Sequence, residues 1–253
     1  QQADQGTAAR GHPPNLPRRA VTGRISSVQS LGTVDGPGVR AVVFGCGCPL
    51  RCAYCHNPET WSEAGEEWTA DALAAKILRF KPYIKHGGVT FSGGEPLVQA
   101  EFFFELARLL KKEGLHIALD TSGQVRGRAA DELLDLCDLA IVDVKFTTEE
   151  DYAKYTGGSL AAALDFIGRA KAAGKRVWIR QVVTRGVNDN EENILRLKSL
   201  IAPYADVTDR VELLPFRKLC LEKYERLGIA FPFADMETPD AETMAKLNAL
   251  LGA

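Results

Sequence analysis

Short β-branched runs alternate with longer amphipathic runs from Val21 onward, and no other feature of the sequence constrains the fold as much. Strands are predicted over Ala41–Phe44, Val89–Phe91, His116–Leu119, Ala140–Val144, Arg176–Val183 and Val211–Leu214. Helices fall between them. The first is capped by Thr69 or Asp71 and runs to about Phe80. Ala100–Glu113 and Leu160–Ala173 follow the same logic, each with a glycine (Gly114, Gly174) placed to end it. Ala129–Leu136, Glu191–Ile201 and Ala241–Leu251 complete the set, the last entered through Thr238-Pro239. Six β-then-α units in succession predict an α/β fold with a parallel sheet and outer helices. Right-handed crossovers curl such a sheet toward a barrel. An eight-fold barrel needs two more units, so the expectation is an open, partial (β/α)6 barrel with its ligand site at the carboxyl ends of the strands.

Those ends carry polar or special residues in every unit. They are the loop Gly45–His56, then Ser92-Gly93-Gly94-Glu95-Pro96, Asp120-Thr121-Ser122-Gly123, Asp143-Val144-Lys145, Arg180 with Thr184, and Pro215-Phe216-Arg217. A lining contributed by six successive units predicts one large cofactor across the barrel mouth. Gly93-Gly94 would let the backbone approach a ligand closely, with carbonyls and the Glu95 carboxylate able to hold a primary ammonium. The plain alternative is a turn. Asp120 and Asp143 end neighbouring strands, and two converging carboxylates need a cation between them or a raised pKa, unless each only caps a helix. Lys145 can pair with Asp143 or bind a carboxylate. Arg180, inside the apolar run VWIRQVV, needs a partner if it is buried and faces solvent if it is not.

Four of the six cysteines crowd one stretch. Cys48, Cys52 and Cys55 form C-x3-C-x2-C, with His56 next. Thiolates are soft ligands that select iron–sulfur clusters or zinc. Three of them on a cubane leave one iron without a protein ligand, open to a substrate or cofactor. The fourth cysteine of a ferredoxin run is missing. The competing reading is a structural Cys3His zinc site through His56 in a non-catalytic module. Cys46 and Cys137 read as small buried apolar residues, and Cys220, in a polar segment, as an exposed thiol. Clustered cysteines in an otherwise cysteine-poor chain point to metal binding in a reducing compartment.

Composition narrows the class further. A chain of 253 residues, 45% hydrophobic and 25% charged, can bury a core without disulfides and is not wholly disordered. A net charge of −2 gives no pull toward nucleic acid or an anionic membrane. No apolar run reaches the ~20 residues of a membrane span. Residues 1–20 read as a flexible N-terminal extension and 21–253 as a single domain. Arg10, Arg18 and Arg19 against the single Asp4 would suit the remnant of an organelle transit peptide, a plain tail being the simpler reading.

Together these residues resemble the radical S-adenosylmethionine (SAM) enzymes, and within them the glycyl-radical-enzyme activases. The resemblance runs from Gly23 to the C-terminus. It is carried by Gly23-Arg24-Ile25, the GTVDGPG segment Gly32–Gly38, and CPLRCAYCHNPETW over Cys48–Trp61. Ser92–Glu95, Leu119–Thr121, Asp143–Lys145, Val177–Arg180 and Glu212–Pro215 extend it. The C-x3-C-x2-C loop marks the superfamily, whereas GTVDGPG and CHNPETW mark the activases. Other activases carry a ferredoxin-like insert with extra cysteines. No cysteine lies between Cys55 and Gly93 here, which favours the compact type that acts on pyruvate formate-lyase over activases of other glycyl radical enzymes.

The resemblance implies a partial barrel of the radical SAM type, with a 4Fe–4S cluster on Cys48, Cys52 and Cys55 and the SAM amino and carboxylate groups on the open iron. It implies Tyr54 and His56 along the adenine, Gly93, Gly94 and Glu95 at the methionine ammonium, and Asp143, Val144 and Lys145 at the ribose or methionyl part. Asp120, Thr121 and Asp143 would frame a monovalent cation, and Asp35 and Arg180 would position the glycyl loop of a pyruvate formate-lyase. The implied reaction takes one electron from a donor such as a flavodoxin or ferredoxin, breaks the S–C5′ bond of SAM and removes a hydrogen atom from a glycine Cα. The implied enzyme is monomeric and cytoplasmic, or housed in an organelle matrix if residues 1–20 are a transit remnant. Three positions depart from the family pattern: Cys46 replaces a glutamine, Cys220 a glycine, and Arg217 a histidine that touches SAM. Arginine is larger and permanently charged.

Overall fold

All six expected strands are present in the computed structural model, which describes residues 20–62 and 64–252. Residues 1–19, nearly all of the expected extension, lie outside the described residues. The strands are β1 (Thr22–Gly32), β2 (Arg40–Gly45), β3 (Glu66–Thr69), β4 (Gly88–Gly93), β5 (Ile117–Thr121), β6 (Leu139–Asp143), β7 (Arg176–Val183) and β8 (Thr208–Pro215). They form one sheet in the order β3-β1-β2-β4-β5-β6-β7-β8. From β2 to β8 every pairing is parallel, and β1 pairs antiparallel with both β2 and β3. The sheet is open, with β3 at one edge and β8 at the other, as a partial barrel requires.

Strands β1 and β3 were not foreseen. Strand β1 reads TGRISSVQSLG, with only three buried residues in eleven, and β3 is the four-residue EEWT. Neither carries the β-branched density that marks the inner strands.

The helices are α1 (Ala70–Leu78), the single turn α2 (Lys81–Ile84), α3 (Ala100–Lys112), α4 (Arg128–Leu136), α5 (Glu149–Thr156), α6 (Leu160–Ala172), α7 (Glu191–Ile201), α8 (Leu221–Leu227) and α9 (Ala241–Leu251). Thr69, not Asp71, caps α1, accepting from the Ala72 N–H. Asp240 caps α9 by accepting from the Thr243 N–H, so Thr238-Pro239 stays outside that helix. Gly114 (φ +75°) and Gly174 (φ +67°) end α3 and α6 in the left-handed conformation their positions predict. Helices α5 and α8 were missed because both are short and largely polar. No helix among the described residues is long and apolar enough to cross a membrane.

Both faces of the inner strands are covered, which is why they read as continuous apolar runs. The outer face meets the helices through residues such as Val43, Phe91, Leu119, Val142 and Ile179. The inner face holds a smaller cluster of Ala118, Leu139 and Ile141, with Trp178 against it. Alternation along each strand places Ser92, Asp120, Asp143 and Arg180 on that inner face, one step nearer the carboxyl ends. Cys46, Cys137 and Cys220 are each about 1% exposed. Cys220 is therefore not the exposed thiol its polar neighbours suggested. It lies at the start of α8 with its side chain in the core, while Leu219 beside it points out.

Candidate active site

A cavity of about 280 Å³ opens at the carboxyl ends of the parallel strands. It gathers Asp35 from the β1–β2 connection, Cys48, Cys52, Tyr54, Cys55 and His56 from the loop after β2, and Gly93 and Gly94 after β4. Asp120 and Thr121 of β5, Asp143 of β6, Lys145 just beyond it and Arg180 of β7 complete the expected wall. Three expected residues stand apart from that wall: Glu95, Val144 and Arg217. Val144 is fully buried in the outer core. Arg217 is exposed, and only its backbone carbonyl takes part, accepting from His56 Nε2–H at 2.7 Å.

Glu95 is 1% exposed and turned inward. Its carboxylate accepts from the Thr121 hydroxyl (2.7 Å), the Ser122 amide (2.9 Å), the Ser122 hydroxyl and the Leu97 amide (3.2 Å). Burial raises its pKa, with the Ser122 and Thr121 hydrogen bonds working against the rise. Through these bonds Glu95 ties the loop after β4 to the loop after β5.

The glycine pair also has a partner other than a ligand. A Cβ on Gly94 would meet the Gly47 carbonyl oxygen at 2.3 Å, and one on Gly93 (φ +111°) would meet Gly45 backbone at 2.5 Å. The Gly94 and Glu95 amides donate to the Gly45 and Gly47 carbonyls at 2.9 and 2.8 Å. The glycines let the cysteine loop and the Gly-Gly-Glu turn lie backbone to backbone.

The charged wall balances itself. Arg180, about 9% exposed, donates through Nη2 to Asp120 and through Nε to Asp143 (3.3 Å). Lys145 Nζ reaches the other Asp143 oxygen at 2.9 Å, and Ser92 donates to Asp120 at 2.8 Å. Burial acts to raise the Asp143 pKa, but the attraction of Lys145 and Arg180 outweighs it and holds the carboxyl below its ordinary value. For Arg180, burial is likewise outweighed by Asp120 and Asp143, so the guanidinium stays charged. The guanidinium supplies a cation between Asp120 and Asp143. Arg180 Nε and Nη2 are thus held by two carboxylates, and the residue still lines the cavity. Among the described residues Asp35 makes no ion pair, and burial followed by the nearby Asp120 charge raises its pKa.

The donor set suits an iron–sulfur cluster. Cys48, Cys52 and Cys55 are unpaired thiols within eight residues on one cavity wall. Burial pushes the Cys48 and Cys52 thiols up to about 11, so a cluster held there would have to drive their deprotonation. Among the described residues no three His, Cys, Asp or Glu side chains close around a point for a single ion. His56, already engaged with Arg217, keeps only Nδ1 for a metal. The Tyr54 hydroxyl is buried at the cavity, and no group among the described residues bonds to it.

Residues 42–197 match the Radical SAM superfamily. The chain belongs to that superfamily. Radical SAM proteins use a 4Fe–4S cluster and SAM, and these are the cofactors of this chain. Among curated relatives, the pyruvate formate-lyase-activating enzyme of Clostridium pasteurianum is 44% identical over 234 residues, covering 91% of this chain and 98% of that one. That of Staphylococcus aureus (strain USA300) is 40% identical over 232 residues, covering 88% and 92%. The crystal structure of a domain of pyruvate-formate lyase-activating enzyme from Bacteroides vulgatus matches with a TM-score of 0.55 at 27% identity, over 66% of this chain and 93% of that one.

Ser92 and Ser122, which the sequence places at strand ends without a role, donate to Asp120 and to Glu95 respectively. Lys223 of α8 reaches back to Asn57 Oδ1 at 2.7 Å and to Glu59, fastening the C-terminal part of the chain to the loop after the cysteines. A partner 166 positions away leaves no local signal.

Proposed function

We propose that the chain is an activase that installs the glycyl radical of a pyruvate formate-lyase. The observation that carries this reading is the cavity itself, lined together by three unpaired thiols, a self-neutralised charged wall and Asp35. Relatives of matching length bearing that activity's name support it.

Cys48, Cys52 and Cys55 would hold the cluster. When bound, the cluster and SAM supply reductive cleavage of the S–C5′ bond, giving methionine and a 5′-deoxyadenosyl radical that takes a hydrogen atom from a glycine Cα. The chain's own residues bind, orient and exclude water. Gly93 and Gly94 keep the turn after β4 against the cysteine loop, and Glu95 fixes Thr121 and Ser122 on the next strand end. Asp143 and Lys145 offer a SAM molecule one acceptor and one donor already paired to each other, so neither needs to reorganise. Tyr54 offers a buried hydroxyl, backed by Phe146 and Phe233 at centroid distances of 6.0 and 6.1 Å. His56, fixed by the Arg217 carbonyl, stands at the rim. Among the described residues Asp35 is the cavity-lining carboxylate that makes no ion pair, and we assign it to the substrate's glycyl loop.

The electron would come from a small one-electron donor such as a flavodoxin or ferredoxin, and we expect a monomer in the cytoplasm. All six thiols are unpaired, in keeping with a reducing compartment. The experiment is anaerobic reconstitution with iron and sulfide, then incubation with SAM, a reductant and a purified pyruvate formate-lyase. A SAM-dependent glycyl radical signal by EPR is expected; SAM bound and cleaved with no protein radical would refute the reading.

A further inference from the structure

Directly below the cavity lies a charged group that the site does not use. Arg40, at the start of β2, has no exposed surface. Among the described residues its guanidinium bonds only neutral acceptors. Nε donates to Thr90 Oγ1 at 2.6 Å, Nη1 to the Pro37 carbonyl at 3.1 Å and to the Gly87 carbonyl, and Nη2 to the Val89 carbonyl at 2.7 Å, with His116 Nδ1 at 3.2 Å. A buried charge held by carbonyls instead of a carboxylate is costly. Burial accordingly lowers the Arg40 pKa to about 10.

That arrangement serves one segment. Thr90 Oγ1 accepts from Arg40 and donates its own proton to the backbone carbonyl of Asp35 at 2.6 Å. Arg40 holds the Pro37 carbonyl on the other side of Gly36. Gly36 itself has φ +126°, and a Cβ there would stand 3.0 Å from Arg40 Cδ and Nε. The backbone of the Asp35-Gly36-Pro37 turn therefore rests on the guanidinium, while Asp35 lines the cavity above.

We propose that Arg40 and Thr90 are positioning residues for Asp35. The chain guanidinium–hydroxyl–carbonyl sets the height and angle at which the Asp35 carboxylate meets the substrate's glycyl loop. Radical abstraction demands such placement, because a glycine Cα displaced by a fraction of its contact distance does not react efficiently. The inference rests on the activase reading and deepens it.

The test compares Thr90→Val, which keeps the branched shape and removes the hydroxyl relay, with Thr90→Ser, which restores it. The probe is a synthetic peptide carrying the glycyl-loop sequence of a pyruvate formate-lyase. Its KM and its maximal turnover, both followed through release of the deoxyadenosine product, are measured beside iron content and melting temperature. Thr90→Val should raise the peptide KM by about ten-fold, the loss of one positioned contact, with iron content unchanged. Thr90→Ser should bring KM back near the wild-type value. A wild-type KM in Thr90→Val beside an impaired Asp35→Ala overturns the relay alone. Failure of Thr90→Ser to rescue, or a parallel fall in iron content, also overturns it, since either means Thr90 acts through stability. A wild-type KM in Asp35→Ala overturns the substrate-facing assignment of Asp35 and this inference with it. A peptide left untouched by SAM-loaded wild-type protein overturns the activase reading itself.

Discussion

Asp143 and Arg180 face each other in the register of β6 and β7, and the guanidinium Nε reaches the carboxylate at 3.3 Å. The same guanidinium holds Asp120, and Lys145 holds the far oxygen of Asp143. Two anions and two cations thus alternate along the wall beside the cysteine loop.

Removing Arg180 should therefore cost stability before it costs recognition. Arg180→Ala leaves Asp120 and Asp143 close together in a largely buried wall, a loss of about 3–5 kcal/mol. Urea denaturation should show a clearly lower midpoint, and cluster content should fall with it. Arg180→Lys keeps the charge but lacks the planar fork, so it should recover only part. A wild-type midpoint in Arg180→Ala would mean the carboxylates do not depend on it.

The acid limb of stability follows from Asp143. Its carboxyl is held below the ordinary 3.8, despite burial, by Lys145 and Arg180. The unfolded chain then binds the proton more readily than the folded one, so stability rises with pH in that range. The contribution is complete above about pH 5 and fades as pH falls through 3.8 toward the lower folded value. Denaturation midpoints measured from about pH 7 down to about pH 3 should drop less steeply in Asp143→Asn than in the wild type. Parallel curves would show that Asp143 is not depressed.

Glu95→Gln should loosen the loop after β5. The amide sets an N–H2 donor against hydroxyl and backbone donors that now point at a carboxylate oxygen, at a cost of about 1–3 kcal/mol. Calorimetric titration should show weaker SAM binding together with a lower melting temperature. Weaker binding at an unchanged melting temperature would instead point to direct contact between Glu95 and SAM.

Gly94→Ala should separate the two loops that the glycine pair joins. Its Cβ would press on the Gly47 carbonyl oxygen at 2.3 Å, and backbone cannot swing aside as a side chain can. Iron content after reconstitution should fall well below wild type, because Gly47 adjoins Cys48. Full iron content would show that the cysteine loop tolerates the displacement.

Much of the fold is legible in the sequence. The parallel strands announce themselves because both of their faces are covered, and the thiols, Asp120, Asp143 and Arg180 converge because strand ends bring distant segments to one rim. Direction is what a sequence does not carry. Glu95 sits in a turn that resembles an ammonium clamp, but nothing local says that its carboxylate turns away toward Ser122. Arg180 requires a partner, and only the folded sheet shows that both aspartates supply it. Strand β1 stays hidden because its pattern is mostly polar, and the hold of Arg40 on the Asp35 turn is invisible because most of its acceptors are backbone carbonyls.

The central claim is that this chain's cavity brings a SAM-derived radical to a glycine Cα of its partner, and isotope transfer tests it most directly. A pyruvate formate-lyase carrying Cα-dideuterated glycine is incubated with the anaerobically reconstituted protein, SAM and reductant, and the released 5′-deoxyadenosine is followed by mass spectrometry. The account predicts that it carries one deuterium, in an amount matching the glycyl radical formed. Unlabelled 5′-deoxyadenosine alongside a fully formed glycyl radical would contradict it.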